Sequence, residues 1–249
     1  MLGSRRTPAK RHRDEAEKPF WISFSDLMTA LMVLFLVAMA VALLSVTQGL
    51  RKMDEGRAQR DTAISACLDG IREITRQTSF PGLKLRGQTL EFGSLAEFPK
   101  DSNELDAQRA SDLRGFVPHM LHIARTPECQ NWLKRFVLEG YASPEGSYLY
   151  NLNLSLERSQ RVLCVLLDKQ SANALSPEDR HAIREQFFVG GSSFNSAILN
   201  QPEKSRRVEL RLEFKELRPR CEAGTADCEA DDLHPLPWDD DAKCPAAPR

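Results

Sequence analysis

Apolar and polar positions divide the chain into unlike stretches. From Trp21 to Val46 the sequence reads WISFSDLMTALMVLFLVAMAVALLSV, apolar at nearly every position. Roughly 26 residues rising about 1.5 Å each give about 39 Å, enough to cross a bilayer with some tilt. The run is longer than the apolar core of a signal peptide and reaches Val46 without an A-x-A break, so a retained anchor is expected. Residues 47–80 are polar, with Ile64, Leu68, Ile71 and Ile74 on a helical period. That spacing predicts a helix or a pair of helices leaving the membrane. It suits pairing with a second copy and packing on the chain's own domain equally. Pro81-Gly82 is expected to end the segment.

Beyond Leu83 the pattern becomes mixed. Leu83–Leu85 and Thr89–Phe92 alternate as strands do, and Leu105–Ala124 places Leu113, Phe116, Val117, Met120 and Leu121 on one helical face. Arg135–Tyr141 predicts a strand, Tyr150–Lys169 a second helix, Phe187–Val189 a short strand, and Arg207–Phe214 a cleanly alternating one. The order βαβαβ predicts an α+β domain over 81–216, after a segment 1–19, a transmembrane helix 20–46 and a helical linker 47–80. The last stretch, 217–249, is rich in Pro and acidic residues and predicts irregular structure.

Charge and cysteine usage add a topology. The net charge of −1 gives no global basic surface for nucleic acid. Arg5, Arg6, Lys10, Arg11, Arg13 and Lys18 crowd the start, which predicts a cytoplasmic N-terminus and places everything after about residue 47 in the periplasm. All six cysteines (Cys67, Cys129, Cys164, Cys221, Cys228 and Cys244) follow the apolar segment. That placement fits an oxidising compartment, with at least one disulfide and Cys221–Cys228 as the first candidate pair. No CxxC pair points to zinc, and His119 and His122 have no evident third ligand, so no metal is expected. No G-x-S-x-G, P-loop or H-E-x-x-H pattern is present, and no enzyme or cofactor is predicted.

Asp26 is the anomaly in the apolar helix. A carboxylate there is costly, more so toward the bilayer centre, and it calls for a protein-lined or watery setting. Ser23, Ser25 and Thr29 share its polar patch at helical spacing, and Ala30, Val33 and Val37 continue its face with smaller side chains suited to close helix packing. Phe24-Ser25-Asp26-Leu27-Met28-Thr29 resembles the start of the single helix of MotB-type stator subunits. The longer run FWISFSDLMTALMVLFLVAMAVALL is more similar still to the ZorB family, the MotB-like components of Zorya anti-phage defence systems. The resemblance implies that Asp26 carries a translocated ion, H+ ahead of Na+. It also implies a MotA-like (ZorA-like) polytopic partner, a second copy of the chain and an inner-membrane location. A passive tether between membrane and wall, or a flagellar-type stator, are the alternative readings.

A second motif lies in the folded domain, GYASPEGSYLYNLNLSLERSQRV over 140–162. Pro144-Glu145-Gly146 predicts a turn before a helix, whose N-terminal N–H groups suit an anion, and Arg158 lies two turns along. Gly140, Gly146, Asn151, Leu154, Ser155 and Arg158 match the pattern of the OmpA-like peptidoglycan-binding domain. Lys204-Ser205-Arg206-Arg207-Val208-Glu209 resembles that family's later NRRVE, with serine for asparagine. The resemblance implies a wall site formed by Ser143, Glu145, Tyr150, Asn151, Leu154, Arg158 and Arg207, with the Arg158 guanidinium facing a peptide carboxylate. It departs from the pattern at Ser143, where the family has the aspartate that meets the diaminopimelate amine. Glu145 is the nearest substitute charge.

Overall fold

The computed structural model describes residues 17–76, 80 and 82–217, with side chains from Phe24 onward. The chain separates into two compact units, residues 1–57 and 58–249. Helix α1 (Glu17–Arg76) is continuous across 60 residues. No proline interrupts it after Pro19, which lies in the first turn, where a missing N–H costs nothing. In the first unit every described side chain from Phe24 to Leu50 is exposed, including an unbroken succession of Leu, Val, Met and Phe. Such a surface is stable in hydrocarbon, not in water. It is the one helix long and apolar enough to cross a membrane among the described residues.

The second unit begins inside α1. Ile64, Cys67 and Ile71 are buried in the domain's core, and Leu68 and Ile74 pack against it. The helical period seen in the sequence is therefore filled by the chain's own domain over this segment, and the second compact unit begins at Ala58. Cys67 is disulfide-bonded to Cys129, with their Cα atoms 5.0 Å apart. Arg60 Nε adds a 2.8 Å hydrogen bond to the Lys215 carbonyl. A disulfide was expected after the membrane segment, and this pairing supplies it. Cys164 is disulfide-bonded as well, and the suggested Cys221–Cys228 pair lies outside the described residues.

A five-stranded mixed sheet carries the domain, in the order β1 (Lys84–Arg86), β2 (Thr89–Glu91), β5 (Val208–Phe214), β3 (Leu133–Gly140), β4 (Phe187–Gly191). Only β3 and β4 pair in parallel. The crossover between them is α4 (Tyr148–Leu167) followed by α5 (Pro177–Gln186). Helix α2 (Ala107–Ala124) and the short α3 (Pro127–Gln130) precede β3, and one further turn, α6 (Pro202–Ser205), precedes β5. Leu210 and Leu212 from β5 and Phe136 and Leu138 from β3 meet Phe116 and Met120 of α2 in the core. The alternate residues Arg135, Glu139, Arg211 and Glu213 face the other way and pair among themselves, Arg135 to Glu213 at 2.6 Å. The architecture is α+β, as the pattern predicts. The sequence reading missed α5, although Ser176-Pro177-Glu178-Asp179 is a helix start, with the Ser176 hydroxyl accepting from Asp179 N–H at 3.0 Å.

Two glycines set the seat of α4. A Cβ on Gly140 would lie 1.9 Å from the Ser155 carbonyl oxygen, and one on Gly191 2.6 Å from Ser155 Oγ. The helix therefore rests directly on the ends of β3 and β4, which brings its first turn over the loop that follows β3.

Candidate functional site

In the first unit Asp26, Thr29, Ala30, Val33 and Val37 line one groove along α1. The Thr29 hydroxyl donates to the Ser25 carbonyl, the usual way to satisfy a hydroxyl in an apolar helix. Apart from the Thr29 hydroxyl, the Asp26 carboxylate is presented on an apolar face that includes the small side chains of Ala30 and Val33.

In the second unit the motif residues divide into an exposed mouth and a buried support. Ser147 caps α4, accepting from Tyr150 N–H at 3.3 Å. Asn151 is buried and donates through Nδ2 to the carbonyls of Glu145 (2.8 Å) and Ser147 (3.2 Å), fixing the turn from inside. Ser143 is buried too and donates its hydroxyl to the Glu145 carboxylate. Leu154 lies in the core, one turn below. Glu145 itself is exposed. The Ser143 hydroxyl first, then the charges of Lys100 and Arg206, hold its carboxyl below the usual range.

Arg158 is placed differently from the expectation. It is 0% exposed, the largest fully buried side chain in the protein's described residues. Its Nε donates to the Ser102 carbonyl (2.9 Å), one terminal nitrogen to Tyr141 (2.9 Å) and the other to Pro99 (3.1 Å), and its guanidinium carbon lies 5.5 Å from the Phe98 ring centre. All three nitrogens are thus engaged by backbone carbonyls, and the side chain is closed off from solvent. Its physical task is to clamp the 99–102 loop against the end of β3. Burial first, and Arg206 second, lower its pKa to about 10, so it remains a cation at neutral pH.

That clamp creates a mouth the sequence reading did not contain. Lys100 and Asp101 sit at the tip of the clamped loop, both exposed. Asp101 has φ +51°, a left-handed conformation that aspartate tolerates better than most residues. The Tyr150 hydroxyl donates to Asp101 Oδ1 at 3.4 Å. At the other end of the same ring, a Cβ on Gly146 would lie 3.5 Å from Tyr150 Cδ1. Partial burial and then the Asp101 charge raise the Tyr150 phenol above its ordinary value. Arg206 approaches from the 202–207 turn, donating to the Phe98 carbonyl at 3.1 Å. Arg207 instead pairs with Glu209 at 2.6 Å and lies over the Tyr141 ring, its guanidinium carbon 4.5 Å from the centroid, at the margin of the mouth. Of the seven expected wall-site residues, Glu145 and Tyr150 are exposed, Arg207 is half-buried, and Ser143, Asn151, Leu154 and Arg158 are supports. Arg206 lay within the KSRRVE segment but not among the expected residues; Lys100 and Asp101 carried no signal in sequence.

Residues 4–49 match the family model for the membrane segment of MotB of the proton-channel complex MotA/MotB. The chain is 40% identical over 223 residues to the Zorya protein ZorB of Escherichia coli O139:H28 (strain E24377A / ETEC), covering 88% of this chain and 90% of that protein. Among solved structures, a MotB-like protein from Desulfovibrio vulgaris is 15% identical, covering 65% of this chain and 96% of its own, at a TM-score of 0.41. The periplasmic domain of Helicobacter pylori MotB is 16% identical, covering 57% and 85%, at a TM-score of 0.39. By its identity to ZorB over nearly the whole length of both proteins, the chain belongs to the ZorB family of MotB-like membrane proteins.

Proposed function

We propose that this protein is the wall-anchored subunit of an ion-driven motor of the inner membrane, serving anti-phage defence. Two copies of α1 stand at the centre of a ring of MotA-like (ZorA-like) polytopic partners, with the N-terminus cytoplasmic and the domain from Ala58 onward periplasmic. Asp26 takes up an ion, H+ in preference to Na+, from the periplasmic side and releases it to the cytoplasm. Each uptake and release switches the charge that the partner ring meets. The mouth around Glu145 and Tyr150 holds peptidoglycan and keeps the subunit from turning.

The observation that carries the reading is Asp26 itself, the lone acid in the exposed, apolar stretch of α1 from Phe24 to Val46. A passive tether gains nothing from such a group and bears its insertion cost, about 2.5–3.5 kcal/mol at the bilayer centre and less toward the ends. Asp26→Asn keeps size and removes the titratable proton. The variant is expected at wild-type level in the membrane, still sedimenting with purified cell-wall sacculi, but without ion flux and without protection of cells against phage. Full protection by Asp26→Asn at wild-type protein level removes the ion-carrier role and leaves the tether.

A further inference from the structure

We infer that the acidic C-terminal segment 218–249 is strapped over the outer face of α4 and α5, bonded through Cys164 and matched in charge to the cations around it. Cys164 is disulfide-bonded. Cys67 and Cys129 are taken by each other, so the partner is Cys221, Cys228 or Cys244. The course of the chain allows this. As part of the crossover between the parallel strands β3 and β4, α4 runs back toward the start of β3. β5 ends at that same place, with Lys215 N–H donating to the Trp132 carbonyl at 2.7 Å. Cys164, in the last turn of α4, and the point where the chain leaves the sheet are therefore at one end of the domain. Cys221 lies seven residues past Phe214, a reach of about 23–25 Å when extended, and the other two cysteines reach farther. The bond forms by exchange with a disulfide-bearing oxidoreductase of the periplasm. Two thiols of this chain lose two protons and two electrons, and the oxidant leaves as a dithiol.

The surface around Cys164 is basic and the segment is acidic. Arg161 lies one turn before Cys164 on the same face of α4, Lys169 follows the helix end, and Arg184 lies on α5, which packs against α4. Each of the three is engaged. Arg161, Cys164 and Arg184 are half-buried although they sit on the outer side of the helix layer. From Cys221 to Asp241 the chain carries eight carboxylates and no lysine or arginine, with Glu222, Asp227 and Glu229 next to Cys221 and Cys228. Cations fixed on two helices and a run of acids tethered beside them meet at high effective concentration, so the ionic contacts and the covalent bond support each other. The mouth around Tyr150 lies fourteen residues back along α4, about 21 Å away, and the strap leaves it open.

The test uses the full-length chain in detergent micelles. Free thiols are alkylated, the protein is digested with trypsin without reductant, and linked peptides are identified by mass spectrometry. Cys164 lies alone in the peptide 162–169, and the candidate partners fall in 221–243 and 244–249. The 162–169 peptide is expected joined to one or both of these and released by reductant. A Cys221–Cys228 pair survives only if the partner is Cys244. Recovery of 162–169 in alkylated form, or a chain that runs as a covalent dimer on a gel without reductant, overturns the strap. Charge matching is read in a glutathione buffer, as the ratio of closed to open Cys164 bond. Salt at about 1 M is expected to lower that ratio about tenfold in wild type. Arg161→Gln, Lys169→Gln and Arg184→Gln together are expected to lower it alike at low salt, and the salt arm guards against a folding defect in that variant. A ratio unmoved by both overturns the charge-matched surface.

Discussion

Arg158→Met separates a ligand contact from a structural clamp. Methionine fills much of the arginine's volume but cannot donate. Three carbonyls, those of Pro99, Ser102 and Tyr141, lose their partner in a site that is 0% exposed at the side chain. A buried acceptor left unpaired costs about 1–3 kcal/mol; the Tyr141 contact is fully buried and those of Ser102 and Pro99 partly so, which puts the loss at about 3 kcal/mol. Against a total stability of about 5–15 kcal/mol this is a large fraction. With a urea slope of about 1–3 kcal/mol per molar, the midpoint is expected to fall by roughly 1–3 M. The assay is urea unfolding with disulfides intact, followed by tryptophan fluorescence, since Trp132 packs against the core. Arg158→Lys keeps a charge but not the three-pronged geometry, and is expected between wild type and Arg158→Met. Sacculus binding should fall in both variants because the 99–102 loop is no longer held. An unchanged urea midpoint in Arg158→Met, together with lost wall binding, would refute the clamp and restore Arg158 as a ligand contact.

Two further outcomes follow from particular contacts. Glu145 is held below its ordinary value of 4.5, first by the Ser143 hydroxyl, so it stays ionised as the pH falls past that value and its share of wall binding is lost only through the depressed pKa. Ser143→Ala should therefore leave binding at pH 7 nearly intact while moving the acid limb of a binding-versus-pH curve to higher pH; an unmoved limb contradicts the role given to the hydroxyl. The Cys67–Cys129 bond closes a 62-residue separation, which by loop-closure entropy stabilises the domain by about 4 kcal/mol. Cys67→Ser should lower the thermal midpoint clearly, and wild type labelled with a thiol reagent after denaturation without reductant should show both Cys67 and Cys129 protected.

The sequence alone determined the features that depend on neighbours along the chain. Apolar continuity from Trp21 to Val46 fixes a membrane-length helix and makes Asp26 conspicuous, whatever the rest of the protein does. Period and alternation located α2, α4, β3 and β5 to within a few residues, because burial of one face is written into spacing. The same spacing could not say what fills the face. Ile64 and Ile71 fit a coiled coil and a domain core equally, and only the packed domain, with Cys67 bonded to a residue 62 positions away, decided for the core. The wall site shows the limit most plainly. Arg158 was visible as a charge at a motif position, but its three partners lie 17, 56 and 59 residues away. Whether a guanidinium meets a ligand or a backbone carbonyl depends on which loop arrives beside it. That is settled by tertiary contacts whose energies carry no local period, so Asp101 came beside Tyr150 only when the chain was folded.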